Sequence, residues 1–274
     1  MARQDALSIY VDSSTKDKLA ETYGEVIEAV QKGAISEQIK NKNYSGDPTT
    51  GSVEIDRFKN ATIDDLGTAR AGGKGKKLTN NGKVTVNVDT DKEIVEELAK
   101  KDVKLYGLDG MAQKRKANHI KRMIAYLDSQ FFAKAEEEGT SIVPTENAKT
   151  IAEKLEELIV SVETTVNDWV DGVDRDMLVV TVTATVYSAL LNYIDNVSNS
   201  LTGLTEEYFH KVRIYSNHRQ TKSMICMIDG AVAQLVTTDE YDAEKIPLSN
   251  DIALELFFSK GTKAVMPDLI KYIA

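Results

Sequence analysis

Val53-Glu-Ile-Asp-Arg-Phe58 and Lys83-Val-Thr-Val-Asn-Val-Asp89 are two short stretches in which apolar and polar residues alternate. Alternation places every second side chain on the same face of an extended chain, so both stretches are predicted β-strands. Together they suggest an antiparallel ribbon. The chain between them, residues 60–82, is far too long for a tight hairpin turn. Loops longer than about 12–15 residues without regular structure are uncommon and are usually functional.

This joining loop is basic, although the chain as a whole is acidic. The loop carries Arg70, Lys74, Lys76 and Lys77, while the 274 residues contain 34 Lys and Arg against 43 Asp and Glu, a net charge of −9. The loop is therefore either a linker or a projecting arm that docks on an acidic surface of a neighbouring molecule. The acidic balance argues against a protein whose main task is to bind nucleic acid, because phosphate neutralisation needs clustered Lys and Arg.

Outside the ribbon, the sequence alternates between helical and strand patterns. Apolar residues at three- and four-residue spacing predict helices over 13–31, 93–98, 111–138, 145–166 (capped by Thr145) and 186–194. The helix over 111–138 is the longest, and its basic residues lie near its start, against the preference of the helix dipole. Strands are predicted over 177–182, 212–215, 224–228, 231–236, 252–258 and 263–265. The sum is a mixed α+β fold without the βαβ repeat of nucleotide-binding proteins.

The sequence contains no catalytic constellation. His119 is expected on a helix surface, His210 and His218 in loops, and Cys226 in a buried strand, where free cysteine behaves as a small hydrophobe. Zinc motifs and the serine-hydrolase elbow are absent. The chain is therefore not expected to be an enzyme or to bind a cofactor or a metal.

Two segments resemble ligand-binding loops but fail on spacing. Gly67–Gly75 is glycine-rich, yet a P-loop needs Lys followed by Ser or Thr, and here Lys74 is followed by Gly75. Residues 87–93 imitate an EF-hand, but Lys92 stands where that loop requires glycine. The longest apolar stretch, residues 177–186, is too short for a membrane helix. A single cysteine is consistent with synthesis in a reducing cytoplasm.

The order of these elements resembles the Hong Kong 97-type fold of tailed-bacteriophage major capsid proteins. That order is an N-terminal arm, a basic ribbon, a long helix and a compact α/β region, and the similarity begins near residue 50. The segments that carry it are Val53–Phe58, Gly67–Gly72, Val84–Glu93, Gly230–Gln234, Tyr241–Ser249 and Gly261–Pro267.

The resemblance implies a division of the chain. It implies an N-terminal arm (1–48), an extended loop or E-loop (49–95), a peripheral or P domain with a spine helix (96–145), an axial or A domain (146–228), strands returning to the P domain (229–264) and a C-terminal segment (265–274). On this division, the residues expected to contact a neighbouring subunit are Arg70, Lys74, Lys76 and Lys77. A basic patch on the inner surface of the shell is expected from Lys114, Arg115, Lys121 and Arg122.

The resemblance also implies partners and a place in the cell. The subunit is expected to assemble with itself as hexamers and pentamers, to need a separate scaffolding protein, and to meet a portal protein at one vertex. The shell encloses double-stranded DNA, held non-specifically, and involves no membrane. The protein is expected in the virion after synthesis in the bacterial cytoplasm. The alternatives are the shell of an encapsulin-like compartment with the same fold and a nucleotide-binding enzyme that uses Gly67–Gly75.

Overall fold

The computed structural model describes residues 13–61, 63, 65–66, 82–197, 208–246 and 251–274. The chain divides into two compact units. The first comprises the described residues up to Gln38 together with those of Asn87–Phe131 and Gln234–Thr262. The second comprises the described residues of Ile39–Val86, Phe132–Ala233 and Lys263–Ala274.

The described elements mix helices and strands, so the predicted α+β class is confirmed. The helices are α1 (Ser13–Gly33), α2 (Ile35–Ile39), α3 (Lys100–Glu138), α4 (Ile151–Glu163) and α5 (Ala184–Val197). Short 3-10 turns cover Pro48–Thr50, Arg175–Met177 and Pro267–Leu269. The strands are β1 (Ser52–Ile55), β2 (Val84–Asn87), β3 (Thr90–Leu98), β4 (Thr140–Ser141), β5 (Leu178–Val182), β6 (Tyr208–Phe209), β7 (Val212–Ser216), β8 (Met224–Ile228), β9 (Val232–Lys245), β10 (Ile252–Ala264) and β11 (Ile270–Ile273).

The first unit is a three-stranded sheet packed against helices. Its strands lie in the order β3-β10-β9, and β10 runs antiparallel to β3 with Ile252 opposite Leu98 and Lys260 opposite Thr90. One face of the sheet packs on α1 and α3 through a cluster that includes Leu19, Leu98, Leu108, Leu254 and Leu256. A second cluster of apolar side chains joins α1 to α3 and contains Val26, Val30, Met123, Leu127 and Phe258.

The second unit is built on a six-stranded sheet with the order β4-β11-β8-β5-β7-β6. Strand β5 is buried along its whole length and lies between β8, to which it is antiparallel, and β7, to which it is parallel. Helix α5 forms the crossover between β5 and β7, the connection that a parallel pair requires. Helix α4 packs on this sheet through Leu155, Leu158, Ile159 and Val162. Strands β1 and β2 form a separate two-stranded ribbon in the same unit.

Several predicted elements need correction. Residues 93–98 were expected to be helical but form the end of β3, because nine consecutive residue pairs join β3 to β10. Helix α3 begins at Lys100 rather than 111 and accommodates a kink at Gly107, whose φ is 73°. The predicted strands 252–258 and 263–265 are joined in the single strand β10, which ends at Ala264.

Helix α4 is capped by Thr150 instead of Thr145. The Thr150 side chain accepts a hydrogen bond from Glu153 N, and the Glu153 carboxylate accepts one from Thr150 N, a reciprocal capping box. The helix ends at Glu163, so Val166 lies beyond it and is exposed. Among the described residues, no helix combines the length and the apolar character needed to cross a bilayer.

Candidate functional site

Charged side chains around Trp169, the only tryptophan in the sequence, hold the base of the β1–β2 ribbon. Arg57 follows β1, and its guanidinium donates a 2.6 Å hydrogen bond to the Asp268 carboxylate while its Cζ lies 5.4 Å from the centre of the Trp169 ring. The Lys59 ammonium donates to the Asp168 carboxylate at 2.5 Å and lies 5.3 Å from the same ring. Two cations and one aromatic ring therefore hold the chain in place directly after the end of β1.

The local sequence explains why Trp169 is presented to the ribbon. The Asn167 side-chain oxygen accepts hydrogen bonds from Trp169 N (2.8 Å) and Val170 N (3.0 Å), which closes a tight turn. The Asn167 amide also donates to Asp268 at 2.7 Å. Asn60 N donates to Asp168 O at 2.9 Å, which ties the outgoing strand to the turn.

The returning strand is held by close packing. A Cβ on Gly82 would lie 2.5 Å from Arg57 O and 2.6 Å from Trp169 Cζ3, so no larger residue fits without movement of the backbone or the ring. Further along the ribbon, Lys83 forms an ion pair with Glu54. We call the set Arg57, Lys59, Gly82, Trp169 and Asp268 the ribbon clamp.

The ribbon clamp is charged at neutral pH. Burial opposes ionisation of Asp268, but the hydrogen bonds from Arg57 and Asn167 outweigh it and hold the pKa of that carboxyl below its ordinary value. The side chains of Arg57 and Asp268 are only 15% and 25% exposed to solvent. A partly desolvated charge-assisted pair is stronger than a surface ion pair, so the clamp is a firm attachment.

Beyond the clamp, the ribbon carries apolar side chains in water. Ile63 and Leu66 are 99% and 98% exposed, while Phe58, within the clamp between Arg57 and Lys59, is 49% exposed. Closely spaced, fully exposed aliphatic residues on a firmly attached segment are typical of a surface that another molecule covers. The predicted contact residues Arg70, Lys74, Lys76 and Lys77, and the Gly67–Gly75 segment, lie outside the described residues.

The predicted basic patch on α3 divides into two groups. Lys114, Lys121 and Arg122 are exposed, and the spacing of an α-helix places them on one side of α3. Arg115 does not share that role, because its guanidinium binds the Glu96 carboxylate of β3 through both Nε (2.6 Å) and one terminal nitrogen. Three of the four predicted residues are therefore exposed basic side chains of α3.

The prediction that His119 lies on a helix surface is wrong. Its side chain is buried, and its Nε2 lies 3.0 Å from Glu96 Oε2. The hydrogen bonds from Arg115 lower the pKa of Glu96, burial opposes this, and His119 adds to the lowering. The cluster of Arg115, His119 and Glu96 joins α3 to β3 and is structural.

The other histidines and the cysteine lie apart from one another in the described part of the chain. His210 lies in a turn, as predicted, 3.3 Å from the Glu156 carboxylate, and His218 is in an exposed loop. Cys226 lies within β8, where burial raises the pKa of its thiol well above the usual range. Within the described parts of the chain, no group of three His, Cys, Asp or Glu side chains is placed to hold a metal ion.

The ribbon clamp is the feature that sequence analysis missed. Arg57 and Asp268 are far apart in the sequence, and no motif links them. The one available signal was the single tryptophan of the chain, placed in the polar stretch Asn167-Asp-Trp169. An aromatic residue in such a turn needs a partner to cover its ring, and here the two basic residues of the ribbon provide it.

Comparison with solved structures identifies the fold. A protein of Mycobacterium phage Che8 superimposes with a TM-score of 0.60 at 15% identity, over 81% of this chain and 84% of that chain. The capsid of Cyanophage P-SCSP1u gives 0.60 at 13% identity, over 88% of each chain. A virus-like particle from Pyrococcus furiosus gives 0.58 at 12% identity, over 94% of this chain and 98% of that chain. No protein-family model and no curated protein sequence matches the chain. The chain therefore has the Hong Kong 97-type capsid fold.

Proposed function

We propose that this chain is the major capsid protein of a tailed bacteriophage, a non-enzymatic subunit that assembles into the icosahedral shell around a double-stranded DNA genome. The observation that carries the proposal is the firmly clamped ribbon with exposed Ile63 and Leu66, in a chain that has the Hong Kong 97-type fold. Such a ribbon is suited to contact a neighbouring copy, because its base is rigid and its outer part offers apolar surface.

Shell formation follows from the physics of repeated contacts. Each subunit needs several heterologous contacts that close under symmetry. Each contact can be weak by itself, because linked contacts raise the effective concentration of the next one. An acidic body with a basic loop favours contact between unlike surfaces of neighbouring copies.

The proposal assigns roles to the parts of the chain. Residues 49–95 are the E-loop, 96–145 and 229–264 the P domain, and 146–228 the A domain, with 1–48 as N-terminal arm and 265–274 as C-terminal segment. Lys114, Lys121 and Arg122 are assigned to the inner surface, where they compensate some of the phosphate charge. The expected partners are other copies in hexamers and pentamers, a separate scaffolding protein and a portal protein, and the mature protein is a virion component made in the bacterial cytoplasm.

Electron microscopy of the purified protein tests the proposal directly. The wild-type chain, alone or co-expressed with the scaffolding protein of its own genome, is expected to form closed shells in negative stain. Replacing residues 62–80 by a Gly-Ser linker of the same length should leave the fold intact, as measured by circular dichroism, and abolish the shells. A wild-type chain that stays monomeric under every salt and scaffold condition would refute the proposal.

The content of native particles separates the phage capsid from the encapsulin-like alternative. Packaged double-stranded DNA supports the phage capsid, whereas a single enriched protein cargo identified by mass spectrometry supports a cellular compartment. The Pyrococcus furiosus virus-like particle makes this measurement necessary, because its chain matches over nearly the same length.

A further inference from the structure

Strand β4 lies at one edge of the six-stranded sheet and, among the described strands, pairs only with β11. The N–H and C=O groups of one residue point to the same side of a strand, and those of the next residue point to the other side. Ile142 N donates to Tyr272 O of β11 at 2.9 Å, so the backbone groups of Ser141 and Val143 are directed away from β11. Both residues are exposed. The outer edge of residues 141–143 therefore offers four backbone groups to a further strand.

An apolar groove lies beside this open edge. It is a surface cavity of about 650 Å³ between residues 142–148 and one side of α4. Its apolar lining comes from Ile142, Val143, Ala148 and Val160. Val143 is 90% exposed and Val160 is 40% exposed, although both are aliphatic. Exposed aliphatic side chains next to an open strand edge are suited to the addition of an extended segment, whose backbone pairs with the edge while alternate side chains enter the groove. We call this feature the β4 groove.

The polar side chains that line the β4 groove are already engaged. The Glu157 carboxylate accepts hydrogen bonds from Thr145 N at 2.8 Å and from the Thr145 hydroxyl, which ties the chain after β4 to α4. Glu153 belongs to the cap of α4, and Glu156 forms an ion pair with Arg175 at 2.6 Å. The groove is therefore preformed and favours an uncharged apolar occupant. A nucleic acid does not fit it, because phosphates have the same sign of charge as these carboxylates.

We propose that residues 7–11 of a second copy of this chain, Leu-Ser-Ile-Tyr-Val, add to the outer edge of β4 as a seventh strand of the sheet. The inference rests on the proposed function, because it names a contact between copies of the shell subunit. In an extended segment, Leu7, Ile9 and Val11 share one face, and this face covers the β4 groove. Ser8 and Tyr10 share the opposite face.

The sequence singles out this segment as the occupant. Three longer stretches lie outside the described residues: 1–12, 67–81 and 198–207. Of these, only 1–12 has large aliphatic residues at every second position, which strand addition requires. The stretch 67–81 is rich in glycine and lysine, and the two leucines of 198–207 are three residues apart. Residues 6–11 also carry no charged side chain, which suits a groove whose carboxylates are engaged. Because helix α1 begins at Ser13, a docked segment links a packed helix of one copy to the sheet of the next.

Single substitutions on either partner test the proposal. Val143→Asp and Ile9→Asp should each reduce the assembled fraction at least fivefold, because each places a carboxylate against an apolar surface. Val166→Asp changes another exposed valine of the second unit, and Ser8→Asp changes the opposite face of the segment, so both should assemble like the wild type. Circular dichroism verifies that each variant is folded. Val143→Ser, which should give an intermediate loss, provides a milder test if Val143→Asp does not fold.

Photochemical cross-linking identifies the occupant. Full-length subunits in which the photoreactive residue benzoylphenylalanine replaces Ile9 are mixed with ¹⁵N-labelled wild-type subunits, assembled and irradiated. Mass spectrometry should find mixed-isotope links from position 9 to residues 141–148 or 156–161. Links found only within one copy, or only to another surface or to a scaffolding protein, would overturn the inference.

The two proposals fail in different ways. Wild-type particles together with unchanged assembly of Val143→Asp and Ile9→Asp would overturn the inference while leaving the proposed function intact. Absence of wild-type particles would instead refute the proposed function and the inference with it.

Discussion

Replacing Arg57 by methionine should destabilise the second unit by about 2–4 kcal/mol. The substitution keeps most of the apolar stem but removes the 2.6 Å hydrogen bond to Asp268 and the charge over Trp169. A hydrogen bond to a charged group contributes about 1.5–3 kcal/mol, and a cation–π contact adds about 0.5–1 kcal/mol. The loss is expected near the upper part of these ranges, because Asp268 is left with one carboxylate oxygen that already has no hydrogen-bond partner.

Urea unfolding followed by tryptophan fluorescence is the appropriate assay, because the single tryptophan of the chain lies within the clamp itself. Lys59→Met is the matched control. It also removes a cation over the ring, but its partner Asp168 is 70% exposed, so the loss should be limited to the cation–π contribution of about 0.5–1 kcal/mol. Equal shifts for the two variants would refute the reasoning that partial burial makes the Arg57–Asp268 pair the stronger one.

The pH dependence of the effect of Arg57→Met follows from the pKa of Asp268. That pKa is lowered in the folded protein, because the hydrogen bonds from Arg57 and Asn167 outweigh burial. A lowered pKa contributes stability that is fully present above the unfolded value and is lost as pH falls through the folded value. The difference in unfolding free energy between wild type and Arg57→Met should therefore be largest near neutral pH and shrink in acid.

Three further variants test the first unit. Glu96→Gln should lower stability by about 1–3 kcal/mol at neutral pH, because Arg115 loses its carboxylate. Since the pKa of Glu96 is lowered on folding, this loss should diminish as pH falls through the folded value, measured by urea unfolding across pH. Gly261→Ala should cost about 1–3 kcal/mol, because its Cβ would lie 1.9 Å from Asn87 O, and a thermal shift assay measures the drop. Leu127→Ala, fully buried between α1 and α3, should cost about 2–5 kcal/mol in chemical denaturation, and no change would contradict the packing described.

The sequence predicted those elements whose pattern is local. Strand β8 was predicted with the bounds it has, and β5 within one residue, because continuous apolar residues bounded by turns indicate a buried strand. Helix α1 was predicted from its apolar spacing. The cap of α4 is predicted at Thr145, but Thr150 caps the helix, because Thr150-Ile-Ala-Glu153 has the spacing of a capping box.

The errors arise where distant residues decide the structure. Ile94 and Leu98 have helical spacing, yet the partner of this segment is β10, more than 150 residues later in the chain, and pairing with it imposes an extended conformation. The burial of His119 likewise depends on Glu96 of β3, which a helical pattern on α3 alone does not indicate. The ribbon clamp depends on four stretches of the chain, at residues 57–59, 82, 169 and 268, that only the tertiary fold brings together.

The one thiol of this chain has a practical consequence. Cys226 lies in β8, one of the two middle strands of the six-stranded sheet, and has no exposed surface. The raised pKa of its thiol keeps it protonated at neutral pH. Maleimides and spin labels react with accessible thiolates, so they should leave it unmodified in the native subunit. A cysteine introduced at one exposed position would then be the single labelled site on every subunit. Distances between equivalent labels in an assembled particle become measurable without first removing the native cysteine.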